Sequence, residues 1–142
     1  MQKTPEGLFV EPILILDDHA AILGCIGDML RFENYSVLEA STGLQAIEIS
    51  RKCGPLSLFV TDVSLRDGSG IDIALRLVAL YPDLPVLVIS GKAMGWWASK
   101  DVSNFSRFLP NKVYFLEKPF PASELTMRVR TLIGRKRRNE AA

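Results

Sequence analysis

Short, mostly apolar runs alternate with amphipathic stretches along most of the chain. Runs of this kind are typical of strands that are buried on both faces of a parallel sheet. The predicted strands are Pro12–Leu16, Tyr35–Ala40, Leu56–Thr61, Pro85–Ser90 and Val113–Leu116. Apolar positions at helical spacing predict helices over Ala21–Arg31, Leu44–Lys52, Ile71–Leu80 and Ser123–Ile133. Strands separated by helices predict an α/β fold, a doubly wound five-stranded parallel sheet with helices on both faces.

Length and composition restrict the class of protein. The chain has 142 residues, of which 48% are apolar and 23% charged, as in one globular domain. No apolar run approaches the roughly 18 residues that span a bilayer, and no secretory signal is recognisable, so we expect a cytoplasmic protein without a membrane partner. Two cysteines and one histidine exclude a disulfide framework and argue against a histidine-rich zinc site or a histidine-dependent triad.

Charge is concentrated at the carboxyl end. Residues 1–124 carry 11 Lys/Arg and 15 Asp/Glu, whereas residues 125–142 carry 6 and 1. The run Arg135–Arg138 is interpreted as a solvated helix end, because cations suit a helix C-terminus. The alternative is a contact with an acidic partner, nucleic acid or the remainder of a longer protein. The net charge of +1 does not favour direct nucleic-acid binding.

Charged and hydroxyl side chains stand where the predicted strands end. In parallel α/β sheets the ligand site lies beyond the carboxyl ends of the strands. The residues at these ends are Asp17, Asp18, Asp62, Ser90 and Lys118. Three converging carboxylates repel one another unless a cation lies among them. Because Lys118 supplies a single positive charge, we predict a divalent ion with oxygen ligands, and retained waters favour Mg²⁺.

Such a site could accept a phosphoryl group. A carboxylate can attack phosphorus to form an aspartyl phosphate, and Asp62 is the best nucleophile because it ends a central strand. Asp17 and Asp18 are adjacent and could share the metal, with the Ser64 backbone carbonyl completing its coordination. The Lys118 ammonium and the Ser90 hydroxyl could each hold a phosphoryl oxygen.

Four segments together resemble the signature blocks of response-regulator receiver domains. They occur in the family's order, and they are LILDDHA at 14–20, VTDVSLRDGSG at 60–70, VLVISG at 86–91 and YFLEKPF at 114–120. The resemblance covers nearly all of Phe9–Gly134 and implies a flavodoxin-like topology. It also implies that Asp62 is the phosphoacceptor, Asp18 a direct Mg²⁺ ligand and Asp17 an acidic partner acting largely through water.

The resemblance implies further roles around the site. Ser90 would be the switch hydroxyl, Lys118 the phosphate-binding lysine and Phe115 the switch aromatic residue. A cis peptide bond would precede Pro119. Signalling would use the surface of the fourth helix, the fifth strand and the fifth helix, through which a two-fold dimer could also form.

Some residues depart from the family pattern. Arg66 stands where the family usually has a proline in the loop after the phosphoacceptor, and Lys92 lies two residues after Ser90. The segment between Ser90 and Lys118 is longer than usual, which predicts an extended or irregular fourth helix. In this it resembles the receivers attached to hybrid kinases more than those of DNA-binding regulators. We expect one of Trp96 and Trp97 in the core and the other exposed, since adjacent helical residues point about 100° apart.

Structural interpretations stand beside the functional ones. Asp17 and Asp18 could simply cap the first helix. His19 is expected to be a solvent-facing loop residue rather than a ligand or base. The tryptophan outside the core could mark a contact surface or pack locally under the following loop.

Three functions follow from these residues. The first is a receiver that takes a phosphoryl group from a histidine kinase or a phosphotransfer protein, catalyses that transfer with Mg²⁺ and slowly hydrolyses the product; it is not otherwise an enzyme. The second is a phosphatase or phosphotransferase of the haloacid-dehalogenase type, which needs an acid two residues after the nucleophile, where Ser64 stands. The third is a pseudo-receiver that only binds partners.

The predicted organisation has three parts. Residues 1–8 are an N-terminal extension, residues 9–134 the receiver domain and residues 135–142 a basic tail. No output domain fits in the remaining residues, so we expect the output to be a partner protein or the chain to be a fragment.

Overall fold

A five-stranded parallel sheet forms the centre of the molecule. The structure is a computed structural model that describes residues 2–3 and 9–141. The strands are β1 (Ile13–Leu16), β2 (Val37–Ala40), β3 (Leu58–Asp62), β4 (Val86–Ser90) and β5 (Val113–Glu117). They lie in the spatial order β2-β1-β3-β4-β5, and every pairing is parallel. The predicted sheet is therefore confirmed.

Among the described residues, five α-helices flank the sheet. They are α1 (Ala20–Phe32), α2 (Gly43–Cys53), α3 (Gly70–Leu80), α4 (Ser99–Phe105) and α5 (Ala122–Ala141). Buried residues of α1 and α5 pack on one face of the sheet, whereas those of α2 and α3 pack on the other. The doubly wound α/β, flavodoxin-like arrangement is thus confirmed. None of the described helices is both long and apolar enough to cross a membrane.

The strands are apolar at successive positions because both faces of the sheet are covered. Side chains alternate between the faces of a strand. Ile13 and Ile15 of β1 accordingly lie in the core under α1 and α5, whereas Leu14 and Leu16 lie in the core under α2 and α3. All four are at most 1% exposed.

Local signals set the helix ends. The Thr42 hydroxyl accepts a hydrogen bond from the Gln45 amide and caps α2. Helix α3 begins one residue earlier than predicted, at Gly70, because the Ser69 hydroxyl accepts from the Ile71 and Asp72 amides. It ends at Leu80, since Pro82 disfavours helical backbone at Tyr81.

The segment between β4 and β5 is irregular, as predicted. A 3-10 turn at Met94–Trp96 precedes α4, and a second at Pro110–Lys112 follows it. Helix α4 has 7 residues, all of them described and none of them buried, so it is short rather than extended.

Helix α5 is longer than predicted and includes the basic segment. It continues to Ala141 instead of ending at Ile133. Lys136 stabilises this extension, because its Nζ is 2.7 Å from Glu11 Oε2 and donates to the Leu56 carbonyl at 2.8 Å. Arg135–Arg138 therefore forms part of α5, with Lys136 buried and Arg137 and Arg138 exposed. At the other end, Gln2–Lys3 pairs antiparallel with Phe9–Val10; the rest of the predicted extension lies outside the described residues.

Candidate functional site

Four of the predicted site residues lie at the carboxyl ends of neighbouring strands. Asp17 directly follows β1, Asp62 ends β3, Ser90 ends β4 and Lys118 directly follows β5. Because these strands are adjacent and parallel, their ends meet at one edge of the sheet.

Lys118 joins two of the carboxylates. Its Nζ lies 3.2 Å from Asp62 Oδ2 and 3.7 Å from Asp17 Oδ2. The side chain of Asp17 is 3% exposed and that of Asp62 is 12% exposed. Asp18 adds a third carboxylate at the same edge of the sheet. Three carboxylates and one ammonium leave the cluster with a net negative charge, and its burial limits solvation by water. An opposite charge nearby is needed to offset that cost.

The two carboxylate oxygens of Asp18 lie in different environments. Oδ2 accepts a hydrogen bond of 2.7 Å from the Arg66 amide. Oδ1 is buried and makes no hydrogen bond with any described residue, although His19 Nδ1 lies 3.1 Å away. An unsatisfied buried oxygen is costly, and carboxylate oxygens are the ligands that Mg²⁺ prefers. Ligand atoms of Asp17, His19 and Asp62 lie within 4.8 Å of one another. This group, with the Asp18 oxygen beside it, could hold a divalent cation.

The structure does not support the interpretation that Asp17 and Asp18 cap the first helix. The residue at the cap position of α1 is His19, and its amide donates to Asp17 Oδ1 at 2.8 Å. The Asp18 carboxylate instead holds the loop after β3 through Arg66. Asp17 thus orders the turn into α1, and Asp18 does not cap that helix.

The two serines have different surroundings. Ser90 is 4% exposed; its hydroxyl accepts from the Lys92 amide at 3.0 Å, and its carbonyl accepts from the Lys118 amide at 2.8 Å. Ser64 is exposed, and its amide donates to Asp62 Oδ1 at 3.2 Å. The structure thus places the Ser64 backbone beside Asp62, and the role of its carbonyl stays a prediction.

Two residues contribute to the cluster in ways that the sequence did not predict. His19 is 61% exposed, as expected, yet one of its nitrogens lies within 4.8 Å of carboxylate oxygens of Asp17 and Asp62. The sequence did not predict a role for Gly70 at the site. Its amide donates to the Val63 carbonyl at 2.9 Å, and a β-carbon there would overlap the Asp62 carbonyl oxygen. Glycine therefore allows the backbone to approach the strand end.

The prediction that one of the two tryptophans is buried and the other exposed is confirmed. Trp97 is 8% exposed and Trp96 is 80% exposed. Phe115 is half-buried in β5 and meets the Trp97 ring edge-on, with ring centroids 4.8 Å apart. The Lys118–Pro119 peptide bond is cis, as the resemblance implied.

Residues 13–130 match the family model described as the response regulator receiver domain. The chain belongs to this family. It is therefore a receiver domain of the kind found in two-component systems, where receivers accept phosphate from histidine kinases. Members of the family generally act as signalling domains rather than as enzymes.

Relatives include a transcriptional regulatory protein and a response regulator. The receiver is 30% identical over 125 residues to the transcriptional regulatory protein CreB of Escherichia coli, covering 88% of this chain and 52% of that protein. It is 31% identical over 130 residues to the response regulator MprA of Mycobacterium leprae, covering 92% and 54%. The chain thus spans about half the length of these relatives.

Solved structures share the fold. A CheY-like receiver domain protein from Methanospirillum hungatei superposes with a TM-score of 0.79 at 20% identity, covering 92% of this chain and 99% of that one. The receiver domain of the hybrid histidine kinase CckA superposes with a TM-score of 0.67 at 28% identity, covering 85% and 98%.

Proposed function

We propose that this receiver accepts a phosphoryl group on Asp62 from a histidine kinase or a histidine phosphotransfer protein. The observation that carries the proposal is the Lys118 ammonium, which lies 3.2 Å from Asp62 Oδ2 beside the buried Asp17. A lysine in this position can hold an oxygen of a phosphoryl group as that group reaches Asp62. That the protein works in the cytoplasm stays a sequence-based prediction.

The chemistry follows from charge. An oxygen of Asp62 attacks the phosphorus of a phosphohistidine; a P–O bond forms, the P–N bond breaks, and its electron pair stays on the imidazole nitrogen. Lys118 and the Ser90 hydroxyl stabilise phosphoryl oxygens as charge moves onto them. Mg²⁺, held by Asp17, Asp18, Asp62 and the Ser64 carbonyl, would supply the remaining positive charge. With the same groups the receiver would catalyse its own phosphorylation and slow hydrolysis.

Phosphorylation would be signalled to partner proteins through the surface formed by α4, β5 and α5. Ser90 would turn toward the phosphoryl group, Phe115 would follow, and the population of this surface would change. We also propose that the same surface mediates any two-fold homodimer. Direct binding of nucleic acid is not part of this proposal.

The alternative functions have less support. A phosphatase of the haloacid-dehalogenase type needs a general acid two residues after Asp62, where Ser64 offers a hydroxyl and is exposed. A pseudo-receiver would not need Lys118 against Asp62.

The test is phosphorylation by acetyl phosphate with Mg²⁺. We expect the wild type to gain acyl phosphate that hydroxylamine releases, and Asp62→Asn to gain almost none, because an amide is a poor nucleophile for phosphorus. Asp83→Asn is the matched control: its side chain is 66% exposed and pairs with Lys112 at 3.2 Å. Undiminished labelling of the Asp62→Asn variant would refute the assignment.

A further inference from the structure

Trp97 lies between the end of β4 and the helix that follows it. Its indole Nε1 donates to the Lys92 carbonyl at 3.0 Å. Its ring meets Phe115 of β5 edge-on at 4.8 Å between centroids and Phe105 of α4 at 5.6 Å. Because Trp97 is 8% exposed, it is a packed link between the loop, the strand and the helix.

Lys92 connects this link to Ser90. The Lys92 amide donates to the Ser90 hydroxyl at 3.0 Å, and the Lys92 carbonyl accepts from Trp97. A single loop residue therefore joins the buried hydroxyl at the strand end to the indole. Ser90 in turn follows Ile89, which is opposite Asp62 in the register of β3 and β4.

We infer that Trp97 is a positioning residue of the switch, coupling the Ser90 hydroxyl to Phe115 and α4 through the backbone of Lys92. The inference rests on the proposed phosphorylation of Asp62 and deepens it. A serine hydroxyl can donate to a phosphoryl oxygen and still accept through its lone pairs. When the Ser90 oxygen moves toward the phosphoryl group, the Lys92 amide follows it to keep its hydrogen bond.

Packing then carries the shift outward. Movement of the Lys92 backbone displaces the indole that is bonded to its carbonyl. Close-packed interiors transmit such a displacement rather than absorb it, so the rings of Phe115 and Phe105 move with Trp97. Phe105 also packs against Phe108, with centroids 6.3 Å apart. The displacement therefore also reaches the residues that follow α4.

The neighbouring tryptophan provides a matched control. Trp96 is 80% exposed and is adjacent to Trp97 in the chain. Trp96→Phe leaves Trp97 as the single tryptophan, whereas Trp97→Phe leaves only the exposed Trp96. We therefore propose to treat each variant with acetyl phosphate and Mg²⁺, measure acyl phosphate, and record tryptophan emission and amide hydrogen exchange of residues 99–105 per mole of phosphoprotein.

We expect the Trp96→Phe variant to keep the wild-type change in emission and in exchange. In Trp97→Phe, emission should no longer respond, and the exchange response of residues 99–105 should fall at least about twofold for the same phosphate content. Circular dichroism identifies a variant that does not fold. Ser90→Ala, which keeps both tryptophans, is a second test: phosphate on Asp62 should then leave the emission unchanged.

Each result decides a separate point. A wild-type response that persists in Trp97→Phe or in Ser90→Ala would overturn the inference while leaving the phosphorylation of Asp62 intact, as would an absent response in phosphorylated wild type. If wild type gains no acyl phosphate, the proposed function fails and the inference fails with it.

Discussion

At the scale of single residues, Asp18 shows how one carboxylate can serve two purposes. Its Oδ2 holds the loop after β3 through the Arg66 amide, whereas its buried Oδ1 has no hydrogen-bond partner among the described residues. The first contact gives the loop a fixed anchor. The second leaves an oxygen whose negative charge is better compensated by a cation than by any neighbour that can donate to it.

This difference predicts the behaviour of Asp18→Asn. The variant should be more stable than wild type without metal, because one of three mutually repelling charges is gone. Wild type should gain about 1.4 kcal/mol at a Mg²⁺ concentration of ten times Kd, and the variant should lose most of that gain. Urea unfolding with EDTA and with MgCl₂ measures both effects. Asp28→Asn, on an exposed side chain, is the control; equal Mg²⁺ stabilisation of Asp18→Asn would contradict the assignment.

Residue types at strand ends were enough to predict part of the site. The argument that Asp17, Asp62 and Lys118 meet required only parallel strands, and the distances of 3.2 and 3.7 Å bear it out. The closeness of His19 and the role of Gly70 could not be predicted. The first depends on how the ends of β1 and β3 approach each other, and the second on how the loop after β3 folds back onto that strand. Hydrophobic periodicity carries no information about either.

At the scale of elements, α4 depends on polar contacts with α3. Lys100 Nζ is 2.8 Å from Asp72 Oδ2, and Asn104 donates to Asp72 Oδ1 at 3.1 Å. The Asp101 carboxylate accepts from the Ser69 hydroxyl at 2.6 Å. Since no residue of α4 is buried, the helix is held by these contacts and by the ring of Phe105. Apolar spacing alone therefore could not predict where it would begin or end.

The pair of Lys100 and Asp72 predicts a pH dependence. The hydrogen bond to Asp72, followed by its charge, raises the pKa of Lys100 above 10.5. Because the pKa of Lys100 is raised in the folded protein, the stability that this pair contributes is fully present below pH 10.5. It is lost as the pH rises through the raised pKa of the folded state.

We expect Lys100→Gln to speed amide exchange in residues 99–105 up to about threefold at neutral pH, as suits an exposed pair. The difference in Tm between wild type and the variant should disappear at high pH. Lys112→Gln, which breaks the pair with Asp83, is the control and should leave exchange in α4 unchanged. A difference in Tm that grows with pH would have the wrong sign.

At the scale of the whole molecule, Lys136 secures the edge of the sheet opposite the candidate site. It lies on α5, yet its partners Glu11 and Leu56 precede β1 and β3. Its side chain is 7% exposed. The sequence showed a basic run at this end but not which of its cations would be buried, because that depends on the direction in which α5 continues.

The burial of Lys136 predicts its effect on stability. Lys136→Ala should lower the free energy of unfolding by about 2 kcal/mol, because it leaves the Leu56 carbonyl and Glu11 without their charged donor. The loss is smaller than for a fully buried pair, since Glu11 is 37% exposed. Arg137→Ala, on the exposed part of the same helix, should change it by less than about 0.5 kcal/mol. Urea denaturation compares them, and similar losses in both variants would show that Lys136 is not an anchor.

The candidate site lies at the carboxyl ends of the strands and the Lys136 contacts lie at their amino ends, and this separation has a practical use. A strand of five residues such as β3 spans about 15 Å, so a tether or dye attached beside Asp83, near the anchored edge, would stand well away from the acidic cluster. The receiver could then be immobilised on a sensor surface in one orientation, with its reactive edge facing the solution from which a phosphate donor arrives.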